Sequence, residues 1–177
     1  MKTVIVLAMH GMPPKDFPSN ETGELFSLHA RLEHASEAER NALRQRYEML
    51  NARICTWPRT FENDPYHASS LELAGQLSRA TGNMVIPGFN EFCAPSLDEA
   101  LDQAAKCKDV ETVIVVTPMM TTGGEHSEVD IPEAIERAHQ RHPDIKVTYA
   151  WPFDPAQVAE FLTAQITRFV GVNTETG

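Results

Sequence analysis

The sequence predicts an α/β fold built on a four-stranded parallel sheet of order 2-1-3-4, flanked by helices. Two observations carry this. Thr3–Met9 (TVIVLAM) and Thr112–Thr117 (TVIVVT) are nearly all apolar and β-branched, as strands covered on both faces are. Segments of helical spacing with marked starts then alternate with these and two weaker strands. Such alternation implies parallel strands joined by right-handed crossovers.

The elements follow in order. Thr3–Met9 is a central strand, and the N-terminus is too short in apolar residues and lacks the small-residue cleavage site of a signal peptide. Met84–Phe89 (MVIPGF) carries a proline, which sends it to an edge. Ile145–Ala150 (IKVTYA) alternates apolar and polar residues, as the other edge strand would. Helices are expected near 70–81, 97–107, 131–141 and 155–169. Ser69-x-x-Glu72 and Ser96-x-x-Glu99 fit capping boxes. Asp130 before Ile131-Pro132 and Asp154 before Pro155 place a proline in a first turn, where its missing N–H costs little. Residues 173–177 should fray.

Residues 12–69 break the alternation. They open with Pro13, Pro14 and Pro18, then show helical spacing at Leu25, Leu28 and Leu32. A capping pattern at Ser36-x-x-Glu39 precedes Leu43, Tyr47 and Leu50. This reads as a helical hairpin inserted after the first strand, returning through a loop at 57–67; it is either a lid or an interface. The whole chain, 1–177, reads as one domain.

Composition narrows the partners. A formal net charge of −10 argues against nucleic acid and gives no basic stripe for an anionic membrane. No apolar run approaches the ~20 residues of a spanning helix. Cys55, Cys93 and Cys107 are odd in number and lack CxxC spacing, which suits free thiols in a reducing, cytoplasmic setting.

In an open parallel sheet, ligands bind beyond the carboxyl ends of the strands, where the strand order reverses. Here that crevice lies between the first and third strands. His10 follows the first directly, and His126 lies in the loop leaving the third, after Gly123 and Gly124. Two imidazoles facing one crevice can ligate a divalent transition metal and accept protons near neutral pH. Handing a metal to a macrocycle and collecting its two N–H protons requires both. Glu91, after the second strand, is the candidate third ligand or proton relay, with Glu125 and Glu128 as rivals. Gly11, Gly123 and Gly124 would let backbone approach a ligand, and Met9, Met12, Met119 and Met120 would supply flexible apolar walls. His29, His34, His139 and His142 receive no role; His67 lies in the return loop, close enough to matter.

The stretch TVIVVTPMMTTGGEHSEVDIPEAIERAHQRHPDIKVTYAWPFD (112–154) resembles the CbiX/SirB group of class II tetrapyrrole chelatases. That group carries an apolar strand, a Gly-Gly-His-like loop, Asp-Ile-Pro, and a helix ending near His-Pro. His10-Gly11 resembles the group's opening His-Gly, and PGFNEFCAPSLDEAL (87–101) its Phe-x-Glu…Pro-Ser-Leu segment. The resemblance covers residues 1–11 and about 70–165. It implies a flavodoxin-like chelatase fold and insertion of Co2+, Fe2+ or Ni2+ into sirohydrochlorin or a related tetrapyrrole, as in sirohydrochlorin cobalto- and ferrochelatases. The metal is then a substrate, and no cofactor is permanently bound. The resemblance implies that His10 and His126 bind the metal and take up protons, and that the chain forms homodimers. Glu125 separates the glycine pair from His126, a departure from the usual Gly-Gly-His. The insertion at 12–69 is absent from the shortest members and is similar to that of the longer protoporphyrin ferrochelatases, which leaves the macrocycle open. Lys15, Arg53 and Arg59, all in the insertion, are the candidate cations for the macrocycle's carboxylates.

The alternative is a non-catalytic tetrapyrrole or metal carrier using the same pocket. A receiver domain would need clustered Asp residues at the strand ends, and the first strand ends in Met9-His10. A flavin domain would need a hydroxyl-rich loop where His10-Gly11-Met12-Pro13-Pro14 stands, so both are disfavoured.

Overall fold

The computed structural model describes residues 2–172. The strands are β1 (Lys2–Met9), β2 (Met84–Phe89), β3 (Val110–Val116) and β4 (Lys146–Tyr149). The helices are α1 (Ser19–His34), α2 (Glu37–Cys55), α3 (Pro65–Thr81), α4 (Leu97–Ala105), α5 (Ile131–Arg141) and α6 (Pro155–Val172). All strand pairs are parallel, in the order β2-β1-β3-β4. The expected fraying of 173–177 lies outside the described residues.

The alternating pleat sorts the central strands onto two cores. Val4, Val6 and Ala8 of β1 and Val113 and Val115 of β3 pack with α4 and α5 on one face. Leu7 and Met9 turn the other way, toward Ala74 and Leu77 of α3. Gly88 on β2 lets α4 lie close: a Cβ there would press on Ala100 and Leu97. A third apolar cluster belongs to the inserted hairpin, where Phe17, Leu25, Leu28, Leu50 and Ile54 close around Phe92 from the loop after β2.

Capping residues set several boundaries, and some expectations need correction. Ser96 and Glu99 form the reciprocal capping box that starts α4. At α2, Ser36 instead bonds its hydroxyl to the Glu39 carboxylate at 2.6 Å. Ser69-x-x-Glu72 caps nothing, because α3 already begins at Pro65 with Asp64 accepting from the His67 N–H. Pro132 falls in the first turn of α5 as expected, but Asp130 does not lie outside the helix. It is helical (φ −64°, ψ −45°), since a π-helical turn at His126–Asp130 runs directly into α5. The end of α4 falls at Ala105, short of 107, and α6 continues to Val172.

Candidate metal centre

Backbone pairing builds the site. Beyond the ends of β1 and β2 the parallel ladder continues: Asn90 N–H donates to the Met9 carbonyl and Glu91 N–H to the His10 carbonyl, both at 2.9 Å. This fixes Glu91 beside His10. Gly11 follows with φ +98°, and a Cβ there would overlap the Glu91 carbonyl. The glycine therefore admits a neighbouring backbone rather than a ligand. From the other side, His10 N–H donates to the Tyr66 hydroxyl at the start of α3, at 3.2 Å.

The third contributor arrives from β3. Gly123 (φ +90°) turns the loop, its N–H held by the Glu128 carboxylate at 2.7 Å, while Ser127 bonds back to the Gly124 carbonyl. The π-helical turn then presents His126 to the cleft. Such turns disturb the regular ladder and concentrate at functional sites. The His10 and His126 rings lie 4.5 Å apart, centroid to centroid. His10, Glu91 and His126 each offer a ligand atom within 4.8 Å of the others. His10 Nδ1 is buried and has no hydrogen-bond partner; it sits 3.7 Å from Glu91 Oε2, beyond hydrogen-bond length.

Asp130 is the residue the sequence reading missed. Its carboxylate meets His126 Nδ1 at 2.5 Å. A proton on Nδ1, shared with that carboxylate, leaves the Nε2 lone pair available. The signal was present as an i,i+4 His–Asp pair, which shares one helical face.

Two adjoining cavities of about 240 and 290 Å³ flank Glu91. They share His29, Tyr47, Phe89, Asn90, Glu91 and Ser96. The first is walled by the hairpin, including Phe26 and Leu25; the second carries His126, Glu125 and Asp130. Hairpin residues thus form part of the wall. His29 and Tyr47 gave no functional signal in sequence, because only tertiary packing brings the hairpin over Glu91.

The candidate cations are placed elsewhere. Neither Lys15, Arg53 nor Arg59 lines these cavities. Lys15 is exposed, and Arg53 pairs with Glu21 over the Phe17 and Trp57 rings. Arg59 is corrected outright: its side chain is 7% exposed, paired with Asp64, and donates to the carbonyls of Met12, Ile54 and Phe92. It locks the insertion to the sheet. Met12 is exposed, with its carbonyl committed to that arginine. Arg137 does reach the second cavity, already paired with Asp98. Burial pushes the Cys55 thiol up to about 11 and raises Cys93 as well. Both stay protonated near neutral pH and add no thiolate.

The CbiX family profile matches residues 62–168. The chain belongs to the CbiX family. The match takes in α3, the Glu91 loop, the His126 turn and most of α6. A sirohydrochlorin ferrochelatase from Priestia megaterium is 27% identical over 81 residues, which are 44% of this chain and 30% of that protein. The match therefore spans less than a third of that relative's length. Among solved structures, the sirohydrochlorin chelatase SirB of Bacillus subtilis subspecies spizizenii, in complex with cobalt, is similar over 86% of this chain and 44% of its own. Its identity is 20% and its TM-score 0.44. A putative cobalamin (vitamin B12) biosynthesis CbiX protein from Marinobacter aquaeolei VT8 is 20% identical over 95% of this chain and 99% of its own, with a TM-score of 0.46.

Proposed function

We propose that this CbiX-family chain inserts a divalent metal, Co2+, Fe2+ or Ni2+, into sirohydrochlorin or a closely related tetrapyrrole. The convergence of His10, Glu91 and His126 from three strand ends carries the reading. Imidazole nitrogen and carboxylate oxygen suit these metals. Two donors each about 2.1 Å from one ion can sit at most about 4.2 Å apart. Donors within 4.8 Å therefore need only small side-chain shifts to share an ion. With few protein ligands, the ion keeps open positions for the macrocycle nitrogens, and a metal that must be handed on is not caged.

In this reading His10 and His126 hold the incoming metal and then take the two pyrrole N–H protons as general bases. Glu91, facing the unpartnered His10 nitrogen, stabilises the proton or passes it toward solvent. Asp130 holds His126 in its receptive tautomer. The cleft formed by the hairpin wall and the His126 turn takes the macrocycle, whose carboxylates are left toward solvent. Gly11, Gly123 and Gly124 act by setting the backbone turns that bring Glu91 and His126 to the cleft. We read residues 1–177 as a single chelatase unit that works as a homodimer in the cytoplasm, where its free thiols are chemically at home.

Metal insertion followed by absorbance, with each of the three metals and sirohydrochlorin, tests this. His10→Ala and His126→Ala should each lower kcat/KM about 100-fold or more while the melting temperature stays close to that of the parent. Full turnover in the double variant would overturn the mechanism. Band shifts on binding without turnover in the parent chain would make it a carrier.

A further inference from the structure

We propose that the inserted hairpin carries the anion-reading edge of the cleft, with Arg44 at the mouth holding a carboxylate of the macrocycle. The proposal rests on the tetrapyrrole reading above. It adds which side of the cleft faces the ligand's charges, and which residue of this chain reads them.

The cleft extends beyond the two cavities beside Glu91. A shallow groove of about 420 Å³ continues it outward along the hairpin, lined by His29, Leu32, Arg44, Tyr47 and Glu48. His29 and Tyr47 line all three hollows, which makes them one continuous surface. The spacing on α2 lays this out. Arg44, Tyr47, Asn51 and Cys55 recur every three or four residues, so they share one helical face. Arg44 stands one turn beyond Tyr47, a rise of about 4.5 Å. Tyr47 in turn looks toward the centre: burial raises its pKa, and the Glu91 charge raises it further.

Charge is spread unevenly along that surface. On the His126 side the wall carries the carboxylates of Glu91, Asp98, Glu125, Asp130 and Glu133, and Arg137 there is already paired with Asp98. A macrocycle bearing carboxylates is repelled from that side. On the hairpin side Glu91 is the sole acid lining the first cavity. Arg44 is exposed and pairs with no described residue; Glu48, four positions on in the same groove, lies beyond ion-pair distance. Arg46 and Arg53, its neighbours on α2, are by contrast held by Glu24 and Glu21 of α1. Two neutral donors deeper in the cleft are also unfilled. Asn90 Nδ2 is buried without a partner, and the Tyr47 hydroxyl bonds to no described residue. A buried donor left unpaired is costly, and a ligand oxygen satisfies it. The guanidinium fork matches a carboxylate through two parallel hydrogen bonds. The macrocycle is thereby turned with a carboxylate-bearing edge toward α2 and its centre toward His10 and His126.

Arg44→Gln should raise KM for sirohydrochlorin about 10-fold, with the loss falling on KM rather than kcat, and should flatten the rise of KM with salt. Arg44→Lys keeps the charge without the fork and should recover part of that loss. Arg40→Gln removes an equal charge from an exposed hairpin site that lines none of the three hollows, and should leave KM unchanged. Sirohydrochlorin esterified at its carboxyl groups should bind the parent and Arg44→Gln alike. The proposal is overturned by an unchanged KM in Arg44→Gln, by an equal rise in Arg40→Gln, or by a difference that survives esterification. A parent that binds sirohydrochlorin without turnover overturns metal insertion alone; dissociation constants, read from quenching of the macrocycle's fluorescence, then replace KM in the same comparisons. A parent that does not bind it overturns both readings.

Discussion

His126 acquires its chemistry from a neighbour four positions on. Its Nδ1 shares a 2.5 Å contact with Asp130, and in the proposed reading this leaves the opposite nitrogen to accept a metal or a proton. Asp130→Asn keeps the shape and removes the charge. It should weaken Co2+ binding about 10–100-fold with no loss of thermal stability. Titration followed in the visible d–d bands checks this, and unchanged affinity would mean the carboxylate does not orient the ring. In the sequence, Asp130 stood only as the residue before Ile131-Pro132 at a helix start, and only the continuous π-turn brings its carboxylate onto His126 one turn back. His10 and Glu91 were legible because each stands directly at or beyond a recognisable strand end.

At the scale of elements, the hairpin α1–α2 is held to the segments leaving β1 and β2 by its apolar packing on Phe92 and by Arg59, whose buried ion pair with Asp64 lies within the return loop. Arg59 and Asp64 are nearly sealed from water, and the guanidinium also ties together carbonyls of α2, the Gly11–Met12 segment and the Glu91 loop. Arg59→Met would leave Asp64 buried without its counter-charge. Loss of one partner from such a pair costs about 3–5 kcal/mol. Urea unfolding should show a lower midpoint at nearly constant slope. A shift under 1 kcal/mol would show that the arginine is not the clasp. Charge alone made Arg59 look like a ligand contact; its burial depends on residues from three separate segments meeting. Asp64-Pro65 carries the same start signature as Asp154-Pro155, so the true start of α3 was readable and Ser69 was a decoy.

The stability of the whole molecule should fall on mild acidification, in part through His67. Burial against Phe89, 5.3 Å between ring centroids, lowers its pKa from 6.5; Asp64 opposes this and Arg59 reinforces it. The folded state thus binds this proton less readily than the unfolded state. The contribution is present above about pH 6.5 and is lost as pH falls through the lower, folded-state value. His67→Phe removes this titration. Its melting temperature should gain on that of the parent between pH 7.5 and pH 5, and a constant difference would contradict the linkage. No described helix is long and apolar enough to cross a membrane.

The sequence by itself determined the strands, their order, the alternation with helices and the two histidines at neighbouring strand ends. These are consequences of local periodicity and of the few ways a parallel sheet can be wound. Tertiary structure decided which charges are sealed and which are free, that Asp130 pairs with His126, that the hairpin walls the cleft, and that α6 lies off its own sheet. Each of those depends on contacts between distant segments, and side-chain burial is a property of the packed assembly rather than of any stretch of chain.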